Sequence, residues 1–227
     1  MKKYLIGLIF LMMLFGAVFF GKVIVRKPYA LMGAISEMFS VRSVIDEQTK
    51  LRKENADLRA QLLAATLGYV LPQRQSLMEA KVFSVNPFNV KNRIFIDKGS
   101  RDGVTKGAPV LFSDSVLLGY VGRINESQSE VVTVFDPAFS LAVRIGENEI
   151  DGLLEGGVNP RVGLIDRQKD VRASDSVYAA SSQVPYGLLI GFVQEVAVDD
   201  SNAFLQASLE LPYALLDVRD VFIVRTL

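Results

Sequence analysis

Three patterns of apolar spacing follow one another along the chain. From Tyr4 to Gly21 runs an uncharged apolar stretch of 18 residues, which Val23-Ile24-Val25 extends if Lys22 snorkels. At about 1.5 Å per residue, such a segment reaches roughly 27–33 Å, the thickness of a bilayer core. A cleaved leader would have a shorter apolar region and a small-x-small site, and Phe19-Phe20-Gly21-Lys22 supplies no such site. Residues 1–27 therefore read as a cytoplasmic tip and an uncleaved transmembrane anchor, with everything after it outside the cytoplasm.

The second pattern steps by three and four. Val41, Gln48, Asn55 and Leu62 fall at heptad position a, and Val44, Leu51 and Leu58 at d. A seam this narrow, read as polar on the helix's other faces, calls for a partner helix. Asn55 at a favours a parallel dimer in register, because a buried amide is best satisfied by its own copy. Glu47 and Glu54 at g would face Arg52 and Arg59 at e of the partner with opposite charge. Residues 28–65 are thus a predicted coiled-coil helix, marginal alone and helped by the shared membrane plane. The alternative is an amphipathic helix lying on its own β domain. Gly68 and Pro72 end the helix, and 66–78 reads as a linker.

From Glu79 on, short apolar runs alternate with Gly, Asp, Asn and Pro, which predicts strands. They fall at Lys81–Val85, Arg93–Asp97, Val110–Phe112, Val116–Ile124, Val131–Phe135, Leu141–Ile145, Gly152–Leu154, Val162–Ile165, Val177–Ala180, Leu188–Val196, Phe204–Leu209 and Val221–Val224. Asp102-Gly103 signals a turn; Asp151-Gly152 signals either a turn or the start of a strand. The region also echoes itself. Val85-Asn86-Pro87 returns as Val158-Asn159-Pro160, Gly107 has a counterpart in Ser174, Leu118-Gly119-Tyr120-Val121 returns as Ile190-Gly191-Phe192-Val193, and Asp136-Pro137 as Leu211-Pro212. Four matches in one order predict two similar units, assigned to 79–145, with room left for C-terminal strands to be shared into it, and 146–227. Six short strands per unit are best closed into small barrels, which leaves no exposed edges.

Charge sharpens this division. Residues 1–78 carry 11 Lys+Arg against 5 Asp+Glu, and the remainder carries 14 against 20. A basic stalk suits anionic lipid headgroups, whereas a net-negative outer region offers nothing to nucleic acid. The chain has no Cys and no His. Thiol chemistry, a Ser-His-Asp triad and His- or Cys-based metal sites are excluded. Ser181 and Ser182 near Asp175 lack a histidine base, and the glycines of 99–107 match neither the P-loop nor the dinucleotide fingerprint. The acids Glu147, Glu149, Asp151 and Glu155 read as a solvated hairpin tip. No catalytic residue, metal ligand set or cofactor site is called.

The segment from Ile96 through Asp97, Gly99, Asp102, Gly103, Gly107 and Pro109 to Val110 resembles the central signature of the rod shape-determining MreC family. Gly119-Tyr120-Val121-Gly122 resembles its Gly-x-Val-Gly element, Asp136-Pro137 its Asp-Pro turn, and Pro185-Tyr186-Gly187-Leu188-Leu189-Ile190-Gly191 its Pro-x-Gly-Leu-x-Ile-Gly element. Ser174 stands where the family carries glycine, a departure that argues against a tight turn there. The resemblance implies a mainly β fold: an anchor and a parallel coiled coil, then two small barrels of chymotrypsin-like architecture without catalytic residues. It implies a non-enzymatic homodimeric scaffold of the cell-elongation machinery in the bacterial inner membrane, able to self-assemble further. Its implied partners are MreD, the MreB-linked elongation complex, a class B penicillin-binding transpeptidase and that enzyme's glycosyltransferase partner. Two alternatives remain at this stage: a periplasmic adaptor of an efflux or secretion system, and a divergent membrane-tethered protease.

Overall fold

The computed structural model describes residues 47–85, 92–199 and 201–225. The predicted anchor, Val41 and Val44 lie outside the described residues. Among those described, no helix is long and apolar enough to cross a membrane. Residues 49–227 form one compact unit.

Helix α1 (47–67) ends where the sequence stops it. Gly68 takes φ +76, a left-handed conformation that costs glycine little, and the Tyr69 N–H turns back to the carbonyl of Ala64 at 2.9 Å. Among the described residues twelve strands follow: β1 (Leu77–Val85), β2 (Arg93–Ile96), β3 (Pro109–Leu111), β4 (Leu117–Ile124), β5 (Ser129–Thr133), β6 (Ser140–Ile145), β7 (Ile150–Glu155), β8 (Arg161–Asp166), β9 (Ser176–Ala179), β10 (Leu189–Val198), β11 (Phe204–Glu210) and β12 (Asp220–Val224). Each overlaps one predicted strand. Asp151-Gly152 lies inside β7, and the hairpin turns instead over Gly146–Glu149.

The strands close into two antiparallel barrels, β1-β12-β3-β4-β5-β2 and β10-β11-β8-β7-β6-β9. This corrects the chain-order division at residue 145. Strand β6 belongs to the second barrel, where Ser140–Ile145 pairs with Glu155–Ile150 across a four-residue tip. The first barrel is closed by β12, whose Val224 lies opposite Leu77 and whose Phe222 lies opposite Leu111. The second barrel is therefore inserted into the first. A local hairpin claims β6, and the first barrel's gap is filled from the far end of the chain.

The echo in sequence is a repeat in structure. In the first barrel the Gly107 N–H binds the Val121 carbonyl at 2.8 Å; in the second, the Ser174 N–H binds the Val193 carbonyl at 2.7 Å. Register slips once between Val121 and Arg123, and again at the equivalent Val193 and Glu195. Such bulges bend a strand and let a small sheet close. Gly119 and Gly191 sit before these bends, where backbones cross closely. An added Cβ would lie 2.1 Å from the Val132 carbonyl oxygen at Gly119 and 2.6 Å from the Glu210 carbonyl oxygen at Gly191. The tight turn at Ser174 survives without its glycine, at φ +72.

Candidate interaction site on the helix and the inter-barrel junction

Helix α1 has two working faces. At 3.6 residues per turn, Ala56, Ala60, Leu63 and Ala64 fall on one side and Leu51, Asn55, Leu58 and Leu62 on the other. Ala56 and Ala60 are 2% and 0% exposed and join the apolar core of the barrels. Leu51, Leu58 and Leu62 are 57%, 58% and 69% exposed. Among the described residues, the heptad seam is thus left uncovered within one copy. The reading of the other faces as polar is corrected: alanines carry too little apolar bulk to register as a face, yet their size lets the helix approach the barrels closely. Arg52, Glu54 and Arg59 stay exposed beside the seam, as does Glu47, and Gln48 is exposed within it.

Polar contacts pin the docked face. Asp57 Oδ1 accepts hydrogen bonds from Ser113 Oγ at 2.8 Å and from the Ser115 N–H at 3.0 Å, on the turn between β3 and β4. Burial pushes the Asp57 carboxyl above its ordinary range, and these hydrogen bonds oppose the push. Lys53 reaches the Asp220 carbonyl at 3.5 Å and stands 4.7 Å from the centre of the Phe112 ring. Desolvation lowers its pKa. Arg59 lies 4.7 Å from the Phe192 ring centre of the second barrel, so one predicted inter-copy ion-pair partner is already engaged within its own chain.

Beyond the helix, Tyr69 enters the second barrel's surface. Its ring lies 5.7 Å from that of Tyr178 and 4.7 Å from that of Tyr186. Its hydroxyl bonds Glu149 at the β6–β7 tip, and Tyr186 donates to the same carboxylate at 3.2 Å. The Tyr69 hydrogen bond holds the Glu149 carboxyl below its ordinary range, while burial pushes the Tyr178 hydroxyl up to about 12. Gly187 forms the floor, at φ +86; a Cβ there would lie 2.8 Å from Tyr69 Cδ2. Gly187, expected with Pro185 to form a structural turn, therefore also shapes the seat of Tyr69.

The two barrels meet along a continuous core. The Leu189 N–H binds the Ser115 carbonyl at 2.9 Å, Tyr213 Oη donates to the Leu117 carbonyl at 2.8 Å, and Tyr213 packs 4.7 Å from Phe112. Asp136 and Pro137 carry the chain from one barrel to the other. Asp136 is almost wholly buried and accepts from Arg93 Nε at 2.6 Å and from the Ala138 N–H at 2.8 Å. Arg93 also pairs with Glu130 at 3.1 Å. Arg93 was not singled out in the sequence; a lone arginine opening a strand gives no signal until its carboxylate partners are placed.

The remaining signature residues are scattered over loops and strands. Asp97 Oδ1 accepts the Lys81 N–H at 2.8 Å, Asp102 caps the Gly99 N–H at 3.0 Å, and Gly103 and Gly107 supply left-handed turns before Pro109 opens β3. A Cβ on Gly122 would lie 2.8 Å from Val132 Cγ2. Ser181 Oγ accepts from the Gln183 N–H of its own turn, whereas Asp175 accepts from the Arg172 N–H, so the two serve separate turns.

Two closed β barrels, one inserted in the other and carried on a docked helix, define the class: a double-barrel protein with an uncovered helical seam. The chain belongs to the MreC family, matching the model described as rod shape-determining protein MreC, barrel core, over residues 82–225. It is 28% identical over 158 residues to the cell shape-determining protein MreC of Escherichia coli, covering 67% of this chain and 41% of that one. To the protein of the same name from Haemophilus influenzae it is 26% identical over 216 residues, covering 85% and 59%. The chain thus spans about two fifths to three fifths of these relatives' lengths. The crystal structure of MreC from Pseudomonas aeruginosa aligns with a TM-score of 0.56 at 25% identity, over 65% of this chain and 98% of that one. MreC in a complex with the penicillin-binding protein PBP2 from Helicobacter pylori shares the fold, with a TM-score of 0.51 at 14% identity over 66% and 99%.

Proposed function

We propose that this chain is a non-enzymatic, membrane-anchored scaffold that maintains cell shape by organising peptidoglycan synthases in the elongation machinery. The uncovered seam of α1 carries the reading. Three leucines stand exposed on a helix whose opposite face is already docked on the barrels, which suits a parallel homodimer built without disturbing either barrel pair. The apolar run at residues 4–21 would hold both copies in one inner membrane, with the barrels on its outer side.

The barrels are surfaces rather than reaction sites in this reading. A penicillin-binding protein of the class that the Helicobacter pylori relative binds is the first partner; its glycosyltransferase partner, MreD and the MreB-linked complex are the further partners of this reading. The action is positional: a bound synthase is held in the conformation that the scaffold prefers, and only differential affinity for its states alters its activity. Depletion in the bacterium that encodes the chain tests this. Rods should round up and lose lateral wall synthesis; retained rod shape and normal wall synthesis would refute the scaffold.

A further inference from the structure

The docking of α1 rests on little apolar contact and much local fixing. The docked strip is mostly alanine, and its charged members, Asp57 and Lys53, are partly stripped of water. Grooves of about 560 and 610 Å³ open beside the helix, the first lined in part by Leu51, Phe192 and Leu211, the second by Leu62, Ile145 and Arg172. A helix standing on a narrow strip between open grooves has few contacts to lose on lifting away. The barrels, by contrast, share a continuous buried core and several aromatic contacts.

Beyond the mid-helix contacts of Lys53, Asp57 and Arg59, a further fixing point lies at the helix's end. Gly68 terminates α1 in a single left-handed residue, so the next side chain, Tyr69, is placed by the helix itself. Tyr69 then fills a seat made by Tyr178, Tyr186, Glu149 and the bare backbone of Gly187. Glu149 is held in the left-handed region at φ +49 on its hairpin tip. A strained tip and a glycine floor converging on one ring form a receptor for that ring.

We propose that Tyr69 is a latch: seated between Tyr178, Tyr186 and Gly187, it fixes α1 against the second barrel, and unseated, it lets the helix swing on the barrels while both barrels stay folded. The latch would set the angle between α1 and the barrel pair. A partner that engages the Pro185–Gly187 turn, or force applied along the stalk, would change that angle without unfolding either barrel.

The absence of native cysteine makes this measurable in the full chain. Spin labels at Gln61→Cys on α1 and Lys169→Cys on the second barrel, both exposed, report the helix-to-barrel distance in lipid nanodiscs diluted with unlabelled chain. Lys169→Cys with Glu195→Cys reports the barrel alone. Tyr69→Ala, and separately Gly187→Ala, should broaden the helix-to-barrel distances and raise the unseated population about tenfold or more, since the first removes the ring with its hydrogen bond and the second puts a Cβ where the ring sits. The barrel distance should stay unchanged. Unaltered helix-to-barrel distances in both variants would overturn the latch. Loss of the barrel distance in both would overturn it too, because the seat would then be folding the barrel rather than holding the helix.

Discussion

Replacing Arg93 with methionine tests whether the join between the barrels is held by charge. The methionine keeps most of the aliphatic length but removes the guanidinium that reaches Asp136 at 2.6 Å and Glu130 at 3.1 Å. The side chains of Asp136 and Glu130 are 2% and 11% exposed, so neither carboxylate regains much water. Breaking a buried pair from one side costs about 3–5 kcal/mol. Two facts favour the lower end: Arg93 is 22% exposed, and Arg123 remains 3.6 Å from Glu130. About 3 kcal/mol on a unit of this size lowers Tm by roughly 6–12 °C. Thermal unfolding of the full chain, followed by far-ultraviolet circular dichroism, reads the change. The same substitution in an Asp136→Asn background should cost clearly less, because the neutral amide does not need the cation and only Glu130, with Arg123 still beside it, loses a partner. Equal costs in the two backgrounds would refute the pairing, and so would a Tm shift within about 2 °C in the wild-type background.

Other substitutions separate the parts of the molecule. Ser174→Gly should stabilise by about 1 kcal/mol, since a non-glycine residue at φ +72 carries strain that glycine relieves, and an unchanged or lower Tm would count against that strain. Gly119→Ala should cost more than about 2 kcal/mol in the same melt, because its Cβ would sit 2.1 Å from the Val132 carbonyl oxygen. Leu58→Ala should weaken self-association about tenfold in sedimentation and leave Tm of the barrels unchanged, whereas Ala60→Leu should lower Tm by overfilling a fully buried site. For Asp57 the docked state raises the pKa, so its contribution to docking is present below the ordinary carboxylate range and fades as pH rises through the raised value. Glu149 runs the other way, stabilising above its ordinary range and losing this as pH falls. Asp57→Asn should therefore remove an acid-side gain in docking, seen as a flatter or reversed change in Tm as pH falls from neutral toward the ordinary carboxylate range; an unchanged pH profile would contradict this.

The strands were legible because alternation and turn residues are local signals, and each of the twelve has its counterpart. The echo was legible because both barrels need the same close crossing at Gly119 and Gly191 and the same turn at Gly107 and Ser174. What local pattern could not show was which strand closes which barrel. Strand β12 joins β1 and β3 across the whole inserted barrel, and β6 is drawn away by the hairpin with β7. The second face of α1 was hidden for a different reason: alanine contributes to a helix face by being small, a role hydrophobic periodicity does not score. Tyr69 and Arg93 were invisible because their meaning lies in partners far along the chain, Glu149 and Tyr178 for one, Asp136 and Glu130 for the other.

The most direct measurement is disulfide trapping of single-cysteine variants of the full chain in membranes, where no native cysteine competes. Leu58→Cys lies on the exposed seam and Ala60→Cys, two residues on, lies buried against the chain's own barrels. A parallel dimer through the seam brings the two copies of residue 58 within the roughly 4.4–6.8 Å Cα separation that a disulfide requires. Leu58→Cys should form a covalent dimer on mild oxidation and Ala60→Cys should not. A dimer trapped through residue 60, or none through residue 58, would contradict the scaffold's central geometry.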